Sequence, residues 1–321
     1  MHRNLKLLVT NNKIIPKDNI KIIPKENVDN EDFCYQYQIN NKNIEKDHKM
    51  NFRNLCFKNI PYIRTIEISE IKQNLNKEAV LIEYRKFPHI EFLIRNAINK
   101  LGTSWSFTVI CGTINYEYVC NMCLQISPNI KVIKTNYENI NTNTYSKMLA
   151  SLDFWNLLNG EKILIYQEDS IIFKNNIDEF LEYDYIGAPW SKEQEEFGLK
   201  NTLLKFIDID KYICVGNGGL SLRTKKIMID VINKRSIDKI QPINSSIMNK
   251  GEVVPEDLYF SKTIQDFNLG KVADWNTAFK FSSECFYNPD SFGGHAWWHG
   301  TSKKTFCSLE WQEPLKVLLG L

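Results

Sequence analysis

Downstream of Lys77, short apolar runs alternate with longer stretches in which apolar residues recur every three or four positions. Residues 79–84 (AVLIEY) predict a first strand. Pro88 then opens a helix whose Ile90, Leu93, Ile94, Ala97, Ile98 and Leu101 share one stripe. Residues 105–112 predict a second strand, 116–126 a helix and 130–133 a third strand. Residues 145–158 predict a second strong amphipathic helix, with Met148, Leu149, Leu152, Trp155 and Leu158 apolar, and 163–166 a fourth strand. The repeated alternation of strand and helix predicts right-handed crossovers and a mainly parallel sheet flanked by helices.

The second half is less regular. A short strand at 185–188 stops at Pro189-Trp190, and another at 212–215 runs into Gly216-Asn-Gly-Gly-Leu-Ser-Leu-Arg223. Residues 224–234 predict a helix capped by Thr224, and Pro255-Glu256-Asp257 opens another that reaches Phe267, with acids at its positive end. Short strands are expected in 271–285, a glycine-rich loop in 291–300 and a last helix in 314–319. Together these elements predict one compact α/β catalytic domain, Rossmann-like in its first half, at 76–321.

Residues 1–75 differ. Lys13-Ile-Ile-Pro-Lys-Asp-Asn19 nearly repeats as Lys21-Ile-Ile-Pro-Lys-Glu-Asn27, and two copies fall short of the roughly three that a solenoid needs. The expectation is an irregular or partly mobile extension lying along the main domain. The sharper alternative is an arm for homo-oligomerisation.

Of the 321 residues, 43% are hydrophobic and 24% charged, with a formal net charge of +2, so neither a polyanionic partner nor nucleic acid is implied. No apolar run approaches a membrane span, and the amino terminus lacks the apolar length of a secretory signal, which predicts a cytoplasmic protein with reduced thiols. The 8 cysteines then read mostly as small core residues. Cys120-Asn-Met-Cys123 has no second pair or histidine at zinc spacing.

The strand at 163–166 ends at Gln167-Glu168-Asp169-Ser170. Acids at the end of a parallel strand point out of the carboxyl edge, where open α/β sheets bind ligands. Asp169-Ser170 also reads as an Asx turn. Glu256-Asp257 and His295 with His299 are the other chemistry-bearing groups. The histidines have i, i+4 spacing, but glycines around them argue against a helix.

In order, EYR at 83–85, the YxxxLxSxxFW helix at 145–155, QEDS at 167–170, DYIGAPW at 184–190, GNGGLSLR at 216–223, PED at 255–257 and GGH at 293–295 resemble the glycosyltransferase-like family DUF5672. More broadly they resemble metal-dependent glycosyltransferases of the GT-A fold, with a looser similarity to β-1,4-galactosyltransferases. The resemblance covers roughly residues 77–300. It implies a hexose or N-acetylhexosamine transferred from a UDP-sugar to a glycan or other hydroxyl, with Mn²⁺ or Mg²⁺ and with inversion.

It also implies roles. Asp169 and His295 would hold the metal, Asp169 as the last acid of a DxD whose first position is here Gln167. Glu83, Arg85, Tyr145, Gln167, Glu168, Gly218, Gly219 and Trp190 would bind the donor. Asp257 would be the base and Glu256 would orient sugar hydroxyls. Tyr185, Trp190, Trp297 and Trp298 are candidate platforms for sugar faces, against the commoner fate of buried core. Plainer readings stand beside these: an Arg85 salt bridge to Glu83 or Glu91, a tight hairpin or bulge at the glycines, and helix-dipole capping by Glu256 and Asp257. Two rival functions are a catalytically silent nucleotide-sugar- or glycan-binding protein on the same fold and a sugar-phosphate nucleotidyltransferase.

Overall fold

The structure, a computed structural model, describes residues 44–190, 215–240, 253–284 and 286–297. In chain order its elements are α1 (Ile44–Lys58), α2 (Ile60–Ile63), β1 (Lys77–Ile82), α3 (Ile90–Leu101), β2 (Ser106–Cys111), α4 (Tyr116–Ile126) and β3 (Lys131–Lys134). They continue with α5 (Thr142–Leu149), α6 (Leu152–Asn156), β4 (Lys162–Tyr166), β5 (Ser170–Ile172), β6 (Tyr185–Ile186), β7 (Leu220–Thr224), α7 (Lys225–Lys234), α8 (Glu256–Phe267), α9 (Trp275–Phe281), β8 (Ser282–Ser283) and β9 (Gly293–His295).

Six strands form one sheet in the order β3-β2-β1-β4-β7-β6. β3, β2, β1 and β4 are parallel, and β7 joins β4 antiparallel. The expected mainly parallel, mixed sheet flanked by helices is therefore what the chain builds. Its central strands are buried along nearly their whole length, as their continuous apolar runs demand. A smaller sheet, β5-β9-β8, leaves β4 just past the acids and pairs Ser170 with His295.

Three expectations change. The helix expected over 145–158 is two helices. It begins at Thr142 because Asn141 caps it by accepting the Thr144 N–H at 2.9 Å, and it breaks at Ser151. The Ser151 hydroxyl donates to the Met148 carbonyl at 2.6 Å, and the same oxygen accepts the Phe154 N–H at 3.3 Å as the next helix's cap. The stretch at 271–285, expected as short strands, contains α9. Asp274 caps it from the Thr277 N–H, which its aromatic-rich sequence hid.

Third, within the expected irregular extension residues 44–58 and 60–63 are helical. Phe52, Cys56, Ile60, Ile63 and Ile71 are buried in the main core, with Phe52 edge-on to Trp297 at 5.2 Å between ring centroids. α1 has a polar average composition, so its apolar anchors stand out only once the rest of the fold is present. Residues 1–43 with their near-repeat, 191–214, the expected helix at 314–319, Trp298 and His299 lie outside the described residues.

The end of the sheet opposite the acids is locked by a buried carboxylate. Glu78 accepts the Thr108 hydroxyl at 2.5 Å and the N–H groups of Asn159 and Gly160 at 2.7 and 2.8 Å. Those bonds offset the desolvation of the charge. Replacing Glu78 with Ala leaves three donors without an acceptor. The expected loss is about 3 kcal/mol in urea unfolding, larger than for Glu78→Gln. Phe52→Ala should cost about 3–5 kcal/mol in the same experiment, since it empties a core position. A neutral result there would mean that α1 is not part of the folding unit.

Candidate active site

β1 and β4 run parallel and end together, so Glu83-Tyr84-Arg85 and Gln167-Glu168-Asp169 emerge at one edge of the sheet. β7 runs the other way and pairs Leu220 with Tyr166, which sets Gly216–Gly219 at the same edge. Backbone bonds fix these turns. Gly219 O accepts the Gln167 N–H at 3.0 Å and the Ser170 hydroxyl at 2.8 Å. Asn115 grips the first turn by donating to the carbonyls of Glu83 and Arg85. Asn96 of α3 holds β5 by exchanging both bonds with the Ile172 backbone.

The acids at this edge carry partners of opposite charge in a continuous chain. Arg85 pairs with Glu83 at 2.7 and 2.8 Å and reaches Glu168 at 3.5 Å. Arg53 of α1 binds Glu168 through two nitrogens at 3.0 and 2.5 Å. The Phe87 ring lies against both guanidinium groups, its centroid 4.2 Å from Arg53 and 4.7 Å from Arg85. His89 Nε2 sits 2.8 Å from the Glu168 carbonyl and 3.3 Å from its carboxylate.

Lys49, one turn before Arg53 on the same helix face, bridges Glu168 at 2.9 Å and Asp169 at 2.7 Å. The other Asp169 oxygen lies 3.2 Å from His295 Nε2, and His295 Nδ1 lies 3.1 Å from Glu284. Lys49, Arg53, His89 and Glu284 were not singled out in the sequence. The only signal for the basic pair was its i, i+4 spacing.

These contacts set the charge states. Burial and the neighbouring Asp169 raise the Glu168 pKa, but His89, Arg53 and Lys49 outweigh them and hold it at about 2. Burial raises that of Asp169, yet His295 and Lys49 bring it well below the carboxylate range. Burial pulls His295 down, and Glu284 with Asp169 pushes it up further, well above the ordinary imidazole value.

The two expected metal ligands, Asp169 and His295, are therefore adjacent, but they face each other as an ion pair. The Asp169 Oδ1 and the His295 Nε2 that a metal would use are turned onto each other, and His295 Nδ1 is turned onto Glu284. Among the described residues no group of three or more His, Cys, Asp or Glu side chains is placed to hold a metal ion. As arranged, the donor set does not fit the Mn²⁺ or Mg²⁺ that the sequence resemblance implied.

The glycine loop joins this half of the site to the acids of α8. A Cβ on Gly219 would run into the His295 ring, and one on Gly218 would run into Glu256. The Gly218 N–H donates to Asp257 at 3.2 Å, and the Leu258 N–H to its other oxygen at 2.7 Å. Glu256 is buried with both oxygens on Arg223, at 2.5 and 3.0 Å. Its charge faces Arg223 rather than open space. Burial first, and then repulsion from Glu256, raise the Asp257 pKa to about 7. Nearby, the buried Tyr145 hydroxyl has no hydrogen bond of good geometry among the described residues. Gln167 is held by its backbone, and its half-buried side chain lies close to Tyr145.

The aromatic candidates among the described residues, Tyr185, Trp190 and Trp297, are core residues. Trp190 donates to Asn217 at 2.6 Å and packs on Gly216, Tyr185 is fully buried under Arg223, and Trp297 is wedged between Phe52 and Phe173. Cys120 and Cys123 are buried free thiols. Among the described residues no helix is long and apolar enough to cross a membrane.

Comparison with known proteins gives no match among curated proteins. Among solved structures, similar chains include a mannosyltransferase from Pyrobaculum calidifontis in complex with GDP-Man and Mn²⁺ (10% identity, TM-score 0.40, 72% of this chain and 64% of that one). A galactosyltransferase, LgtC, in complex with donor and acceptor sugar analogues is 14% identical (TM-score 0.45, 76% and 95%). An apo-form glycosyltransferase from Streptococcus pneumoniae is 10% identical (TM-score 0.40, 76% and 62%). The chain spans less than two thirds of the length of the first and third of these. The family model described as "Protein of unknown function (DUF5672)" matches residues 128–295, more than half of the chain and the whole stretch from β3 to His295. The chain belongs to this DUF5672 family.

Proposed function

We propose that the chain is a glycosyltransferase that moves a hexose or N-acetylhexosamine from a nucleoside diphosphate sugar, UDP-linked in our reading, to an acceptor hydroxyl. The observation that carries the reading is convergence. Segments far apart in sequence, ending in Arg85, Asp169, Gly218-Gly219, Asp257 and His295, meet at the carboxyl edge of the sheet. Open α/β sheets take their ligands at that edge.

In this reading Asp257 is the base. It accepts the acceptor's hydroxyl proton while that oxygen bonds the anomeric carbon. The bond from that carbon to the donor phosphate breaks, and the nucleoside diphosphate leaves. Attack opposite the leaving group inverts the centre. The raised pKa suits the task, because a base works best with a pKa near the working pH. Glu256 acts by holding Arg223 and repelling charge from Asp257. Gly218 and Gly219 let Glu256 and His295 close on the loop where a Cβ would clash, and Tyr145 sets a hydroxyl beside Gln167. Arg85 faces the nucleotide, its positive charge offsetting phosphate.

The test is nucleoside diphosphate release from a panel of UDP- and GDP-sugars with simple glycoside acceptors. Turnover should rise as pH passes through about 7 and then level, because the base must be ionised. Asp257→Asn should lower kcat by about 10²–10³-fold and remove that ascending limb. Arg85→Ala should raise the donor KM by about tenfold with a smaller change in kcat. Saturable sugar binding with no turnover on any donor would instead support the silent binding protein.

A further inference from the structure

The residue standing between Glu168 and Asp169 is a lysine from a different part of the chain. Lys49 Nζ is 2.9 Å from the first carboxylate and 2.7 Å from the second. Its helix is anchored by Phe52 and Cys56, which are fully buried, and by Arg53 on Glu168, so Lys49 is presented by a packed element. The Asp169 side chain is almost wholly buried, while about a third of Lys49 faces out (9% and 32% exposed). The ammonium thus caps the acid pair on the open side of the edge. His295 closes the other Asp169 oxygen, and the described residues offer no group of three metal donors.

We infer that Lys49 is the site's built-in cation. It fills the place a divalent ion would take on Glu168 and Asp169, and it meets the diphosphate of the donor in that ion's stead. An ammonium has three donors, so two bonds to carboxylates leave one N–H for a phosphate oxygen. The leaving diphosphate would then gain its counter-charge from Lys49 and the neighbouring arginines, with no metal to recruit. The diphosphate half of this inference rests on the glycosyltransferase reading. The exclusion of a divalent ion stands on geometry alone.

Two measurements on the full chain separate these halves. In the first, Mn²⁺ alone is titrated into metal-free protein and followed by electron paramagnetic resonance. The wild type should leave the free-ion signal unchanged, and stoichiometric uptake by the wild type would overturn the inference. In the second, UDP and GDP binding is measured by calorimetry in EDTA and in Mn²⁺. Wild-type affinity should agree between buffers within about twofold. Lys49→Ala should weaken binding in EDTA by about tenfold, and Lys49→Arg should recover most of that loss. A thermal melt checks that each variant is folded. Unchanged or tighter binding by Lys49→Ala would overturn the inference and mark α1 as a plug over the site. If neither nucleotide binds in either buffer, the glycosyltransferase reading falls, while Mn²⁺ uptake by Lys49→Ala but not by the wild type would still mark Lys49 as the resident cation, and no uptake by either would overturn it.

Discussion

Asp169 cannot be buried alone. A carboxylate almost out of water at the lip of a sheet costs several kcal/mol unless charges of opposite sign surround it. Here Lys49 and His295 do so, one on each oxygen, and the surrounding layout follows from that need. Lys49 requires α1 to lie across the edge. His295 requires the chain to return after α9 and pair with β5. Glu284 and Arg53 then hold the imidazole and the neighbouring acid in turn. The result is an alternation of positive and negative groups in which each charge is another's counter-ion.

Alternation of this kind limits the chemistry. Carboxylates that are already paired are poor traps for a free metal ion, and here both oxygens of Asp169 face partners. The acids on α8 are arranged differently. Glu256 is satisfied by Arg223, which leaves Asp257 to bear the repulsion, and it is Asp257 that has the pKa of a proton acceptor near neutral pH. Burial, and then the charge of Glu256, raise the Asp257 pKa, so the one acid holds Arg223 while the other is free to take a proton.

Much of the sheet was legible because its strands are continuous apolar runs and its helices carry one stripe. Helix 116–126 was read to the residue, and the ends of β1, β2 and β4 to within two. The break at Ser151 and the cap at Asp274 escaped because a single side-chain bond decides each, below the reach of periodicity. In the site, residues at strand ends or beside glycines were findable from local pattern. Lys49 and Arg53 were not: their meaning depends on a helix of polar average composition docking by a few anchors. Trp190 and Trp297 show the converse. Their type suggested sugar platforms, and their burial makes them core.

The pairing of β5 with β9 has a consequence for how the protein is made. Lys49 and Asp169 are 120 residues apart in sequence, and His295 follows later still. Contacts of such long range close large loops and form late during folding. A growing chain completes the α3–β4 sheet with Asp169 exposed and half its counter-charge still unsynthesised. The charged edge thus assembles last, so a chain that stalls before Gly293 is left with a sheet whose Asp169 lacks His295.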